Sequence, residues 1–457
     1  MRVCHTLQPV FDDPNLVAFG GLPAVMRLAE QAGLYELVEQ HVTVPGTAGA
    51  NAPVKVSALI AGMVVGADSI SDLDVLRHGG MGRVFDGLRA ATTLGTHLRA
   101  YRFGHVRQLD AVASRLLIKL AGLSPILDGA DQLTFVDVDD TIRETHGYRK
   151  QGAAYGYSRV KGLNAILATI STPNAAPVIA ATRLRKGNVS SARGAARLIG
   201  DTLATLRRAT TPSLVIVRAD SAYFNHATIA AITVGGARFS ITARMNQAVT
   251  RTIATIDEAA WTTIRYPQAI YDEAQQVWIS DAEVAEVPFP AFTSRRKADH
   301  VTARLVVRRV RRLNPNAKAQ GELLPGYRYH AVFTNSTFAL VDAEACHRDH
   351  AVIEGIFADL KDGPLAHAPS GKFMANSAWL ALTAMAFNLT RAAARIASKT
   401  LGRARTSTVR RTLIQVAARI ANQARTWLLH LPRNWPWEPQ LATLYNAAFG
   451  PPAAASP

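Results

Sequence analysis

Two apolar strand patterns in this chain run directly into aspartates, and no other feature restricts the fold as much. Thr134-Phe135-Val136-Asp137-Val138-Asp139 alternates as a strand does, and Leu214-Val215-Ile216-Val217 is a continuous apolar run that leads into Arg218-Ala219-Asp220. A carboxylate at the end of a buried strand is costly unless it is paired or bound to a metal. Alternation puts Asp137 and Asp139 on one face of the first strand and Asp140 on the other. Asp220 also has a plainer use, as a cap or turn residue ahead of the next helix.

The remaining patterns arrange themselves around these two strands. Residues 14–130 read as helical, with apolar residues at helical spacing in Leu22–Glu39, Val54–Val65 and Val106–Leu120 and a connector at Gly46–Pro53. Strand patterns at Leu163–Ile170, Pro177–Thr182 and Ala237–Ile241, with helices at Ser191–Arg208 and His226–Ile232, predict a mixed sheet flanked by helices. Short β-like runs follow at Thr262–Tyr266, Val277–Ser280, Val301–Val310 and Tyr327–Phe333. Helix is expected again from about Val341 to Leu360 and from Ala378 to about His430. The boundaries that follow are 1–130, 131–244, 245–340, 341–370 and 371–457. They describe an α/β core with a β-rich insertion and helical regions at both ends.

A third acid belongs with the first two. Glu354 sits mid-helix, and His347, His350, Glu354 and Lys361 are spaced to share one helix face. Three carboxylates on separate elements suit oxygen-binding divalent cations and metal-assisted phosphoryl transfer. The plain alternative is a solvated charged face. The charge balance favours a polyanionic substrate: the net charge is +17, and from residue 371 onward the only acid is Glu438. Cys4 and Cys346 cannot build a disulfide framework, Met1 to Asp13 lacks the apolar core of a signal peptide, and no apolar run is long enough to span a bilayer. A cytoplasmic protein without membrane contact is expected.

These residues resemble a known family. Asp139-Asp140-Thr141 is similar to the Asp-x-Thr motif of DDE transposases of bacterial insertion sequences, and Arg218-Ala219-Asp220-Ser221-Ala222-Tyr223-Phe224 to their second-Asp motif. Glu354 and Lys361 match the last two positions of the Tyr-x2-Arg-x3-Glu-x6-Lys helix of the group with a β-rich insertion; His347 stands at the Tyr position and His350 at the Arg position. The resemblance implies an RNase H-like core in which Asp139, Asp220 and Glu354 bind two Mg²⁺ or Mn²⁺ ions. It also implies water attack at the element end, followed by attack of the freed 3′-hydroxyl on target DNA. His347, His350 and Lys361 would hold phosphates. Terminal inverted repeats and target DNA would be the partners, bound by a homodimer, with residues 1–130 contributing to end binding.

Other segments suit DNA as well. Tyr148-Arg149-Lys150 and Tyr155-Gly156-Tyr157-Ser158-Arg159-Val160-Lys161 interleave basic and aromatic residues, a pattern for backbone contact and base stacking. Arg295-Arg296-Lys297, Arg304, Arg308-Arg309 and Arg311-Arg312 are expected to reach phosphates from the insertion, whereas Trp427, Trp435 and Trp437 are expected to pin the C-terminal tail. Two rival readings remain. Asp137-Val138-Asp139-Asp140-Thr141 also fits the Asp-x-Asp-x-Thr motif of haloacid-dehalogenase-like phosphohydrolases, with Asp137 as nucleophile and Asp139 as general acid. An inactive, DNA-binding transposase derivative is the other.

Overall fold

The computed structural model describes residues 1–3, 6–146, 149–265, 271–272, 277–278, 282–311, 327–423 and 426–451. Tyr148, Tyr266, Ile279, Ser280, Arg312, Arg425 and the tail 452–457 carried expectations that lie outside the described residues. The chain divides into two compact units: Leu127–Glu144 with Gly152–Phe357, and Met1–Ile126 with Thr145–Gln151 and Ala358–Pro457. The two helical ends therefore belong to one unit.

The first unit is built on a ten-stranded sheet. Its strands are β1 (Leu133–Glu144), β2 (Ala154–Tyr155), β3 (Lys161–Ser171), β4 (Val178–Lys186), β5 (Leu214–Ala219), β6 (Arg238–Thr242), β7 (Thr262–Ile264), β8 (Ala282–Ala291), β9 (Val301–Arg311) and β10 (Tyr327–Thr334). β3 lies antiparallel to β1 and to β4, while β5 pairs parallel with β1 and with β6. The order β4-β3-β1-β5-β6 is the RNase H-like arrangement the sequence led us to expect. β3 is buried along nearly its whole length, as the uninterrupted run Leu163–Ile170 requires of a central strand. The helix Ala195–Ala209 packs its apolar side on β3 and β4, and the helix His226–Val234 packs on β6.

The β-rich insertion is not a free-standing module. β10 pairs with β6, opposing Phe333 to Ile241, and β9, β8 and β7 extend the same sheet outward. The helix Leu340–Arg348 covers these strands and closes a small core of Val306, Val332 and Ala343 with Phe338 and Leu340.

In the second unit the helix Phe373–Ala397 is buried on all sides, against Ala52–Val65, Phe103–Leu123, Ala91–Ala100 and Glu438–Phe449. Its run of Ala, Leu and Met is what a helix with no solvent face demands. The long N-terminal helical pattern breaks at Gly33, whose φ of 70° no β-carbon residue adopts readily, into Leu22–Gln31 and Leu34–His41.

One expectation is corrected here: helix does not continue to His430. Ala418–Gln423 and Thr426–His430 form an antiparallel pair, with Leu16–Val17 added as a third strand. The N–H of Gly20 bonds to the Val416 carbonyl and that of Ile420 to the Asn15 carbonyl. Pairing between chain ends thus overrides an Ala-rich helical preference, which is only a few tenths of a kcal/mol per residue. Trp435 donates its indole N–H to the Thr412 carbonyl, as a pinning residue would, whereas Trp427 is about half exposed.

Buried charge organises the same unit. The Asp359 carboxylate accepts the Thr406 N–H at 2.9 Å and the Thr406 hydroxyl at 2.6 Å, and its charge reaches the buried Arg391 and Arg410. Removing a partner strands the others without solvent. Asp359→Ala should therefore lower stability by about 3–5 kcal/mol, seen as a marked fall in the urea midpoint; an unchanged midpoint would show the cluster to be structurally idle.

Candidate active site

Sheet register brings the first two acids together. Asp137 lies opposite Arg218 and Val138 opposite Ala219 across the parallel pair of β1 and β5. One step further the next residues are Asp139 and Asp220, on strands about 4.8 Å apart. Paired positions in a parallel ladder point to the same face, so Asp137, Arg218, Asp139 and Asp220 share it.

Under this face lies an ion pair withdrawn from water. Arg218 donates Nε to Asp137 Oδ1 at 2.7 Å and Nη2 to Oδ2 at 2.8 Å, and both side chains are almost wholly buried. The remaining Nη1 donates to the Cys346 carbonyl at 2.7 Å, near the end of the helix Leu340–Arg348, and the guanidinium rests 4.3 Å over the Phe135 ring. His350 Nδ1 adds a contact to Asp137 Oδ1 at 3.0 Å. Burial pushes the Asp137 carboxyl up, but hydrogen bonds and charge from His350 and Arg218 outweigh it and hold the group below the usual carboxylate range. A carboxylate with both oxygens engaged and no exposure cannot attack a phosphate. The phosphohydrolase reading, which needs Asp137 as nucleophile, is thereby overturned.

Asp139 and Asp220 are held differently. Burial, with the Asp220 charge adding to it, pushes the Asp139 carboxyl up to about 7 against an opposing hydrogen bond from the Asp140 N–H. Asp220 is likewise raised, first by desolvation at the strand end and then by the Asp140 charge, although Ala222 N–H, His350 and Arg244 oppose the shift. Its Oδ1 accepts the Ala222 N–H at 2.9 Å, so the plain capping role is present too. Two partly desolvated carboxylates that repel each other make an oxygen donor set suited to a hard divalent cation.

Glu354 stands on a third element. It is exposed on the helix Val352–Lys361 and lines a cavity of 230 Å³ with His347, His350, Arg308, Arg348 and Glu344. Among the described residues, no three His, Cys, Asp or Glu groups converge closely enough to hold an ion. The single helix expected over Val341–Leu360 is interrupted by a 3-10 turn at Asp349–Ala351. That turn carries His350 toward Asp137.

The expected phosphate contacts fare unequally. His347 has both ring nitrogens engaged, with Ser240 Oγ at 3.0 Å and Thr242 Oγ1 at 2.9 Å, and burial together with the nearby His350 and Arg218 pushes it down to about 3. A neutral, doubly bonded ring ties its helix to β6 and has no charge to offer a phosphate. Lys361, Arg149 and Lys150 fall in the second unit. The Lys150 ammonium donates to the Ala368 carbonyl, and burial lowers its pKa. Arg149 is exposed; Arg159 is exposed at the mouth of β3, and Lys161 begins that strand.

Three of the insertion arginines correct part of a further expectation, while Arg295, Arg296 and Lys297 stay exposed. Arg304 pairs with Glu286 and donates to the Ser336 and Phe338 carbonyls. Arg308 pairs with Glu344, and Arg309 is gripped by Glu258 and Glu283 between Trp261 and Tyr327. They hold the insertion together.

Two anchors went unassigned in the sequence. Arg218 had no role there, yet an arginine inside an apolar strand demands a buried carboxylate, and Asp137 was the one at hand on an adjacent strand pattern. On the opposite face Asp140 accepts the Tyr223 hydroxyl at 2.7 Å and pairs with Arg185 at 3.0 Å. Arg185 in turn donates to Asn164 Oδ1 and to the Ser191 and Arg193 carbonyls. Tyr223 closes the turn that follows Asp220, so this network fixes that turn.

The family described as Transposase DDE domain group 1 matches residues 5–448, nearly the whole chain, and the chain belongs to that family. Members are nuclease and strand-transferase enzymes that act on DNA and use divalent metal ions. No curated protein matches the chain. Among the described residues, no helix is long and apolar enough to cross a membrane.

The buried pair should behave as a unit. Asp137→Leu or Arg218→Met alone should cost about 3–5 kcal/mol by leaving a bare charge in the core, whereas the double variant should recover most of the loss; additive losses in the double-mutant cycle would refute the coupling. His347 gives a pH signature. Its folded pKa is depressed, so the unfolded chain binds the extra proton and stability falls as pH drops from about 6.5 toward about 3. His347→Gln should flatten that fall between pH 7 and pH 4.5, and an equally steep fall in urea titrations would exclude the buried neutral ring as its source.

Proposed function

We propose that Asp139, Asp220 and Glu354 are the catalytic acids of a cut-and-paste DNA transposase, cleaving DNA at element ends and joining the freed strand to target DNA. The observation that carries this reading is the side-by-side emergence of Asp139 and Asp220 from adjacent parallel strands, both with carboxyls raised above their ordinary range. Mg²⁺ or Mn²⁺, as two ions, would be held by Asp139, Asp220 and Glu354. When bound, such ions activate the attacking oxygen and offset charge at the phosphate. Cleavage by water leaves a 3′-hydroxyl, and attack of that hydroxyl on a target phosphodiester exchanges one P–O bond for another. The chain's own contribution is positional: Arg218 and Asp137 fix the strand ends, and the Tyr223–Asp140 contact fixes the turn after Asp220.

DNA would be held by Lys361, His350, Arg149, Lys150, Arg159 and Lys161, with His347 assigned to the scaffold. A basic chain of this kind gains largely non-specific, salt-dependent affinity from phosphate contacts. A homodimer would pair the two terminal repeats, in a bacterial cytoplasm and on the nucleoid. One observation favours a second reading, a DNA-binding derivative without cleavage. His350, at the Arg position of the resembled helix, is bonded to Asp137.

Asp139→Asn, Asp220→Asn and Glu354→Gln should each reduce Mg²⁺-dependent cleavage of a duplex bearing the gene's own flanks by about a thousandfold or more while preserving DNA binding. Cleavage that survives Glu354→Gln would remove that residue from the set. Tight flank binding by wild type with no cleavage in either Mg²⁺ or Mn²⁺ would favour the derivative.

A further inference from the structure

The loop between β2 and β3 presents aromatic rings to solvent in a way the catalytic reading does not use. Tyr155 is 68% exposed and Tyr157 is fully exposed, although burying such rings on the protein would ordinarily be favourable. The loop is not loose. Its turn is closed by the Arg159 N–H donating to the Gly156 carbonyl at 3.0 Å, which places Tyr157 at the tip. Arg159 takes φ of 57°, a left-handed conformation that strains a non-glycine residue. The base is locked by close backbone approach: a β-carbon on Gly156 would strike the Gly187 carbonyl, and one on Gly187 would strike those of Gly162 and Ala154. The Gly187 N–H also donates to the Gly152 carbonyl at 3.0 Å. Residues 152–161 contain Arg159 and Lys161 and no acid.

A rigid, basic turn with outward rings matches nucleic acid, where every base has a face for stacking and every linkage an anion. Position narrows this further. Tyr155 pairs with Lys161 at the start of β3, and Asp139 pairs with Leu167 six residues along the same strand. At about 3.3 Å per residue the ring-bearing loop begins about 20 Å from Asp139. A duplex laid along β3, rising about 3.4 Å per base pair, would cover that span in about six base pairs.

We propose that Tyr157, at the tip of the turn closed by the Arg159 N–H, is a DNA-stacking finger that inserts against a base about six base pairs from the cleaved bond. The inference rests on the transposase reading for its choice of DNA. A wedge of this kind unstacks a base step locally and marks the register of the bound end.

The test uses the full chain and flank duplexes carrying 2-aminopurine at successive positions, with affinity followed by anisotropy. Wild type should brighten one position, about six base pairs from the cleaved end. Tyr157→Ala should lose that signal and bind about five- to 150-fold more weakly, the range that about 1–3 kcal/mol of stacking implies. Tyr157→Phe and Tyr157→Trp should retain both. Bound DNA with no brightened position, or the same signal in Tyr157→Ala, would overturn the proposal. Asp139→Asn separates it from the catalytic reading: the fluorescence should persist in that variant while cleavage disappears, so each claim fails on its own readout.

Discussion

The buried pair of Asp137 and Arg218 is the constraint on which the first unit turns. Neither charge reaches water, so each depends on the other and on the remaining hydrogen-bonding groups around it. Arg218 spends its donors on two elements, Asp137 on β1 and the Cys346 carbonyl on the helix Leu340–Arg348, while its flat face lies on Phe135. A shift of either strand by one residue would put the arginine opposite an apolar side chain on the wrong face. The pair therefore specifies register more than it adds stability, and register is what sets Asp139 beside Asp220.

The aspartates above it illustrate a division of labour along one strand. Asp137 is satisfied in the core, and Asp140 is satisfied on the other face by Tyr223 and Arg185. Asp139, between them, keeps an oxygen pair that the fold leaves raised and repelled by Asp220. Local instability at that point is tolerable because both neighbours are clamped. His350 fits the same scheme. The Asp137 charge is already balanced by Arg218, so the helix position needs only an N–H directed at Oδ1, which an imidazole Nδ1 supplies. A guanidinium there would bring a second permanent charge beside Arg218.

How legible this was depended on how local the signal is. Apolar runs such as Leu163–Ile170 and Leu214–Val217 announced their strands, and alternation over Thr134–Asp139 put Asp137 and Asp139 on one face. Non-local facts left no such trace. Nothing near residue 418 says that Leu16–Val17 will pair with it, so an alanine-rich stretch read as helix became a strand. Alternation in the insertion was visible, but its attachment to β6 through Phe333 and Ile241 was not. The interruption at Asp349–Ala351 was hidden because Glu354 and its neighbours keep helical spacing on either side of it.

Charge shows the same limit with a consequence for recognition. A net +17 invites the picture of a uniformly DNA-seeking surface. Yet Arg185, Arg218, Arg304, Arg308 and Arg309 are bound to carboxylates, and Arg391 and Arg410 are buried. A cation already paired releases no counterion from DNA, so it adds nothing to the salt dependence of binding. What remains for phosphate is set by exposed groups such as Arg149 and Arg159, whose placement is fixed by the fold. Affinity in such a protein is governed less by total charge than by where the fold leaves its exposed cations.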